Sequence, residues 1–351
     1  MFIGGAAAAL FPWLRSVAQN TSGARRIDVH HHFIPPAYMA YTKANNKLPG
    51  VPVGNRGGAN SPWDLSKDLE DMDKAGTAVA IASVTTPGFW FGKQEEVRKV
   101  LRDCNEFAAK ILSDHPGRFG SFASVSPTDT DGALKEIEYA LDTLKADGIG
   151  LFSSYQDRWL GHESFAPVYE ELNRRRAVVF VHPNTAACCT GLVPGVNDTV
   201  IEYGADTTRA IASLIYSGMS AKFSGIRWIF SHGGGVMPFV IERFQGGGQA
   251  EIVPGIVTKG QDGAPPKNVP GGTLAEIRRM HFDTAQISNP VALEALKKVV
   301  PVSQILYGTD YWYRSAEESV HGLTTAKVFT DTELRAIGRD NAERLLPRYK
   351  T

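Results

Sequence analysis

Cysteine is scarce in this chain of 351 residues: there are three, two of them adjacent at Cys188 and Cys189. So small a number excludes a disulfide framework, and the spacing excludes the Cys-x-x-Cys pairs of zinc ribbons and thiol redox centres. Cys104 falls in a helical pattern and reads as a buried thiol. Charge of one sign is missing too. Lysine plus arginine balance aspartate plus glutamate at 37 each, so no field recruits nucleic acid or an acidic membrane surface. No apolar run reaches the roughly 20 residues that a membrane-spanning helix needs. No glycine fingerprint for a dinucleotide follows an early strand pattern, and no organic cofactor is expected. What remains is a chain long enough to bury a large core without disulfides or structural zinc.

The first 25 residues stand apart. Phe2-Ile3-Gly4-Gly5, Ala6 to Ala9, Leu10 and Phe11 form a short apolar core, followed by the small residues Ser16-Val17-Ala18. The stretch resembles a twin-arginine export signal without its arginine pair, which makes the periplasm the alternative to the expected cytoplasmic location. The other reading is an N-terminal helix packed on the body or on a neighbouring subunit.

From residue 26 onward, β-branched runs alternate with amphipathic ones. Strands are predicted at 27–32, 79–84, 119–125, 148–153, 177–182, 226–231, 280–285 and 304–308. Helical patterns cover 64–74, 93–114, 131–146, 164–176, 202–217, 290–299 and 332–346, with Asp131, Ser164 and Asn289-Pro290 as helix starts. Strand-helix alternation repeated eight times predicts an α/β fold, a (β/α)8 barrel spanning residues 26–351 as a single domain. A doubly wound sheet is the runner-up. Two long connections, 43–63 and 245–274, interrupt the pattern. Such insertions form active-site walls or lids, or plain surface excursions.

The first predicted strand reads Asp28-Val29-His30-His31-His32-Phe33. Side chains alternate along a strand, so His30 and His32 share a face, about 7 Å apart, and His31 points away. Asp28 lies on the face of His30 and His32, placed to orient a ligand. His182 ends strand five, His232 ends strand six and Asp310 follows strand eight. In a barrel all these ends open on one face, where active sites are built. His30, His32 and His182 are the expected ligands of one divalent metal ion, with Asp310 a fourth ligand or a carboxylate beside it. The mixed nitrogen and oxygen set suits Zn2+ first and Mn2+ second. His232 is the expected general acid or base, and Gly233 to Gly235 leave room for substrate or backbone to come close. Arg243 suits capture of a carboxylate or, equally, a helix-surface salt bridge with Glu242. Phe89, Trp90 and Phe91 after strand two, and Tyr311, Trp312 and Tyr313 after strand eight, are expected to wall a planar substrate or to serve as packing.

These motifs resemble the amidohydrolase superfamily, and within it the branch typified by aminocarboxymuconate-semialdehyde decarboxylase. The resemblance runs from about residue 26 to 347. It is carried by Ile27-Asp28-Val29-His30-His31-His32-Phe33-Ile34-Pro35, Phe180-Val181-His182-Pro183, Ser231-His232-Gly233-Gly234-Gly235 and Gly308-Thr309-Asp310-Tyr311. Pro238-Phe239 and Arg243 after the glycine run favour the decarboxylase branch. So does Leu151-Phe152-Ser153 at strand four, where many hydrolases of the superfamily keep a metal-bridging lysine. The segment from Phe122 to Gly148 is similar to 6-methylsalicylate decarboxylases. The resemblance implies His30, His32, His182 and Asp310 around one metal ion, His232 as the proton-transfer residue, and Arg243 gripping the substrate carboxylate. It also implies a homodimer in which Arg243 reaches the neighbouring active site, and a second arginine from the loop after strand one, for which Arg56 is the candidate. The segment Asn184-Thr185-Ala186-Ala187 departs from the family, which often has a bulky residue there.

The expected activity is therefore a metal-dependent, nonoxidative carboxy-lyase acting on a small hydroxylated aromatic or enol-like carboxylate such as a salicylate, with catalytic His232 and Asp310. The alternative is a hydrolase of a lactone, amide or ring C–N bond on the same scaffold. A noncatalytic binding protein that kept the barrel is a third reading, and the intact ligand set argues against it.

Overall fold

The structure, a computed structural model, describes residues 25–45, 63–156, 158–244, 249–253, 256–259 and 268–350. All eight strand patterns become strands: β1 Arg26–Phe33, β2 Thr77–Val84, β3 Phe119–Ser124, β4 Gly148–Phe152, β5 Val178–His182, β6 Arg227–Phe230, β7 His281–Asp283 and β8 Ile305–Leu306. They pair in parallel in chain order as one eight-stranded sheet. The chain leaving β8 then returns to β1. Val29 N–H donates to Tyr307 C=O at 3.0 Å, Asp310 N–H to His30 C=O at 2.9 Å, and His32 N–H to Tyr311 C=O at 3.0 Å. The sheet thus closes on itself as a barrel.

β7 and β8 are shorter than their sequence patterns. At Asp283 the side chain accepts the N–H of Ala285 at 2.9 Å, which turns the chain out of the sheet. Gly308, beyond β8, lies where a Cβ would come within 2.9 Å of both Asp283 Cβ and His30 Cβ. Only glycine fits there.

Around the barrel run α1 Pro36–Asn45, α2 Leu65–Ala75, α3 Gln94–Asp114, α4 Thr130–Glu138, α5 Ala166–Arg174, α6 Glu202–Tyr216, α7 Thr273–Arg279, α8 Pro290–Val299, α9 Ala316–Thr325, α10 Asp331–Arg335 and α11 Asn341–Leu345. Two expected helix starts move. Asp129, not Asp131, caps α4 by accepting the N–H of Gly132, and His162 rather than Ser164 caps the turn before α5. Asn289 caps α8 as expected, with Pro290 in the first turn.

The barrel interior is a column of Ile27, Val29, Val79, Ile81, Phe122, Val178, Phe180, Ile229 and Leu306. Ala342, Leu345, Leu346 and Tyr349 from the C-terminal end close its floor. Each fully buried large apolar side chain contributes roughly 1.5–3 kcal/mol, so the column fixes strand tilt and, with it, where the strand ends point. Phe180 sits directly beneath the His30 ring, 5.0 Å between centroids.

Among the described residues no helix is long and apolar enough to cross a membrane. The apolar N-terminal stretch and Arg56 lie outside the described residues. Of the two long connections, the first begins inside α1. The second includes an antiparallel pair, Gln249–Val253 with Ile256–Lys259, and reaches into α7.

Candidate metal centre

His30, His32, His182 and Asp310 meet at the C-terminal mouth of the barrel, each offering a ligand atom within 4.8 Å of the others. All four are buried. His30 and His32 reach it by strand alternation, His182 as the last residue of β5, and Asp310 from the turn after β8. His30 Nε2 lies 3.2 Å from His32 Nε2. Asp310 Oδ1 lies 3.3 Å from His30 Nε2 and 3.0 Å from His32 Nε2.

The far side of each ring fixes its tautomer. His30 Nδ1 donates to the Asp283 carboxylate at 2.8 Å, His32 Nδ1 to the Ser83 carbonyl at 3.2 Å, and His182 Nδ1 to the Pro183 carbonyl at 2.8 Å. Carbonyls and carboxylates only accept, so in the neutral rings each Nε2 presents a lone pair to the centre. Three lone pairs thus face a carboxylate oxygen, Asp310 Oδ1, which is buried and has no hydrogen-bond partner of its own. Such a donor set is satisfied by a divalent cation of the zinc or manganese class. Expected ligands and observed geometry agree.

Burial acts to lower the His30 ring, but Asp283 and Asp310 raise it to about 10, so a metal ion would displace a proton there. Burial acts to raise the Asp310 carboxyl, but the positive His30 ring and the adjoining nitrogens of His232 and His32 hold it well below the usual carboxylate range. Burial, reinforced by the neighbouring His32 and His30 rings, drives His182 well below its ordinary value. Burial lowers His32 as well. A neutral imidazole and an ionised carboxylate are the metal-binding forms.

His232 stands at the rim. Its Nε2 is 3.3 Å from Asp310 Oδ2, and its backbone N–H donates to Asp283 Oδ1 at 3.0 Å. Both His232 and Asp310 hold left-handed backbone conformations, φ 53° and 61°, a strained setting for non-glycine residues that clusters at functional sites. The glycines after His232 serve backbone approach within the protein. A Cβ on Gly235 would meet the Gly204 carbonyl oxygen at 2.1 Å, and one on Gly233 would meet Ile287 Cδ1 at 2.6 Å.

Two side chains escaped the sequence reading. Asp283 joins the His30 ring to the His232 backbone, and its only sequence signal was an acid near the end of a strand pattern. Gln286, which donates its amide to Asp310 Oδ2, carried no signal. Asp28 also differs from expectation. It touches no ligand ring; it accepts from the His30 and Thr309 N–H groups and from His31 Nδ1 and the Thr309 hydroxyl. Because His31 points outward, as alternation requires, Asp28 ties β1 to the residue before Asp310 instead.

The remaining expected residues divide. Phe89 is 1% exposed and packs against Tyr38 at 4.9 Å in the core under α1 and α3, so it does not wall the site. Trp90 is partly buried, its indole N–H donating to Pro87 C=O at 2.9 Å. Trp312 stacks on Tyr313, 5.7 Å and 19° apart. Arg243 is exposed on the short helical turn Ile241–Phe244 and forms no ion pair with Glu242. Tyr313, one of the expected aromatics, edges the cluster 5.9 Å from His32, and Tyr203 does so 5.8 Å from His182, with Phe152 6.2 Å from that same ring.

A family model described as amidohydrolase matches residues 27–348. The 6-methylsalicylic acid decarboxylase of Penicillium expansum is 36% identical over 295 residues, covering 82% of this chain and 84% of that protein. A decarboxylase of Penicillium terrestre is 35% identical over 341 residues, 93% of this chain and 96% of that protein. Among solved structures, a 5-carboxyvanillate decarboxylase of Novosphingobium aromaticivorans, complexed with manganese and a nitrobenzoic acid, superposes with a TM-score of 0.79. It is 19% identical, with 93% of this chain and 96% of that one covered.

Proposed function

The chain belongs to the amidohydrolase family, and on that footing we propose that it is a metal-dependent nonoxidative decarboxylase of salicylate-type hydroxylated aromatic acids. The observation that carries the proposal is the convergence of three imidazoles and one unpartnered carboxylate oxygen, with a fourth imidazole, His232, against that same carboxylate. The substrate class follows the activity named for the Penicillium expansum relative. His30, His32, His182 and Asp310 would hold a divalent cation, which would supply positive charge for the carboxylate of a bound ortho-hydroxy acid. Zinc is the first assignment; the manganese in the carboxyvanillate enzyme supports the alternative.

Loss of carbon dioxide from such an acid requires one proton at the ring carbon bearing the carboxylate. The His232–Asp310 pair is placed to deliver it. A proton passes from His232 Nε2 to Asp310 Oδ2 and on to the ring carbon, while the Gln286 amide holds that carboxylate in place. The ring carbon becomes tetrahedral, the C–C bond breaks, and its electron pair restores the aromatic ring as carbon dioxide departs. One proton is consumed and no oxidant is needed. Arg243, exposed in its own chain, is assigned to the carboxylate of a substrate bound in a second copy, which makes the working unit a homodimer.

The test is anaerobic incubation of the metal-loaded enzyme with salicylate and 6-methylsalicylate. Equimolar carbon dioxide and the corresponding phenol are expected. Replacing His232 by Asn is expected to lower kcat by on the order of 100-fold or more with metal content unchanged. No carbon dioxide from any ortho-hydroxy acid, together with hydrolysis of a neutral aryl lactone that survives Arg243→Ala, overturns the reading in favour of a hydrolase.

A further inference from the structure

We propose that Tyr203 and Tyr313 form the clamp that selects a single aromatic ring at this site; of the two, Tyr313 was among the aromatics that the sequence pointed to and Tyr203 was not. The inference rests on the decarboxylase reading for its substrate class and on the following geometry for its residues. Tyr203 comes from the first turn of α6 and stands edge-on to the His182 ring, at 5.8 Å and 82°. Tyr313 comes from the turn after β8 and stands edge-on to the His32 ring, at 5.9 Å and 78°. The two rings therefore flank different ligands of the same cluster.

Their hydroxyls are anchored on neighbouring residues. Tyr203 Oη is 3.0 Å from Thr86 Oγ1, and Tyr313 Oη is 3.2 Å from Thr85 Oγ1. Thr85 and Thr86 are consecutive residues just beyond β2, and each takes one tyrosine. The result is a frame in which both rings are fixed, through their hydroxyls, to adjacent residues at the end of β2. Tyr313 is held in turn by the Trp312 stack, yet remains 39% exposed, as a wall at an entrance must be. Phe89 and Trp90 are committed elsewhere, to the α1 core and to the Pro87 carbonyl.

With both hydroxyls tied to threonines, the tyrosines offer substrate their ring surfaces rather than donors. A flat, apolar-faced ring whose carboxylate and ortho oxygen point at the cluster fits between them. A second fused ring would meet the Thr85-Thr86 end of the frame.

The experiment compares Tyr203→Ala, Tyr313→Ala and the two Tyr→Phe variants, each metal-loaded and with metal content measured. Turnover of salicylate and of the bicyclic 1-hydroxy-2-naphthoate is read alongside calorimetric binding of 2-nitrophenol, whose nitro group mimics the carboxylate but cannot leave. Each Ala variant is expected to raise KM for salicylate and weaken nitrophenol binding by roughly tenfold, and to shift kcat/KM toward the bicyclic acid by a similar factor. The Phe variants, which keep the ring, are expected to stay within about threefold of wild type. Unchanged binding and unchanged ring preference in Ala variants that retain their metal overturn the clamp. Should wild type bind nitrophenol but release no carbon dioxide, the decarboxylase reading fails while the binding arm still decides the clamp. If an Ala variant does not fold, the same readouts on Tyr→Leu decide it, because leucine fills space without a ring.

Discussion

Asp283 shows how much a single side chain can organise without touching a metal ion. One oxygen accepts from His30 Nδ1, and the other accepts from the backbone N–H of His232 and of Ala285. The carboxylate thus sets the tautomer of His30 and the position of His232, the imidazole proposed for proton transfer, together. Changing it to Asn keeps the size but lets the amide donate toward His30, which favours the wrong ring nitrogen for binding. Asp283→Asn is expected to weaken metal affinity by roughly 10–100-fold, measured by competition against a chelator. Affinity within twofold of wild type would show that the ring is held some other way. The ligands themselves were legible because histidines at strand ends are few and conspicuous. Asp283 was not, because nothing local distinguishes an acid that faces a histidine 253 positions away.

At the scale of elements, the critical join is between β1, α2 and the chain leaving β8. His31 points out of the barrel, its Nδ1 against Asp28 at 3.1 Å and its Nε2 against Asp68 of α2 at 2.9 Å. Its ring stacks on Tyr311, 4.6 Å and 9° away. Burial alone would lower its pKa, but Asp68 and Asp28 together raise it to about 10, so the ring is a buried cation between two carboxylates. Thr309 and Tyr311, which flank Asp310, are the residues this join holds. Replacing His31 by Phe leaves Asp28 and Asp68 buried without their cation and is expected to cost on the order of 3–5 kcal/mol. The urea midpoint of the metal-loaded protein reads it, and an unchanged midpoint would remove the join from the account. Elements with strong periodicity were legible; α1, α7 and α9 were not. α9 contains Gly322 and three threonines or serines. A Cβ at Gly322 would meet the Ser288 carbonyl oxygen at 2.3 Å, so packing chose a poor helix former there. The pattern at 131–146 likewise ran on past α4, which passes at Tyr139 into a wider turn ending at Thr143.

For the whole molecule, acid stability depends on imidazoles buried as neutral groups. His281 at the start of β7 is lowered to about 4, chiefly by burial, from an ordinary 6.5. Between these values the unfolded chain binds a proton that the folded one refuses. Its contribution is complete above pH 6.5 and is lost as the pH falls toward 4, a change of no more than about 3 kcal/mol. His281→Gln is expected to flatten that acid limb of the stability curve while leaving the midpoint at pH 8 nearly unchanged. Equal slopes for variant and wild type would assign the limb to other groups. Chelation is expected to lower the melting temperature as well as abolish turnover, since a metal that binds only the folded barrel stabilises it. Zinc or manganese should restore both.

The sequence by itself determined the barrel, the order of its strands and the four metal-binding side chains. Period-two and period-3.6 patterns are local, and in this fold every strand end opens on the same face. Tertiary structure decided which aromatics edge the cluster, which carboxylate orients His30, and what the glycines after His232 are for. Those depend on distances between side chains far apart in the chain, set by the tilt and closure of the barrel. A strand pattern shows where a residue points along its own strand, but the opposite wall appears only when the sheet has closed.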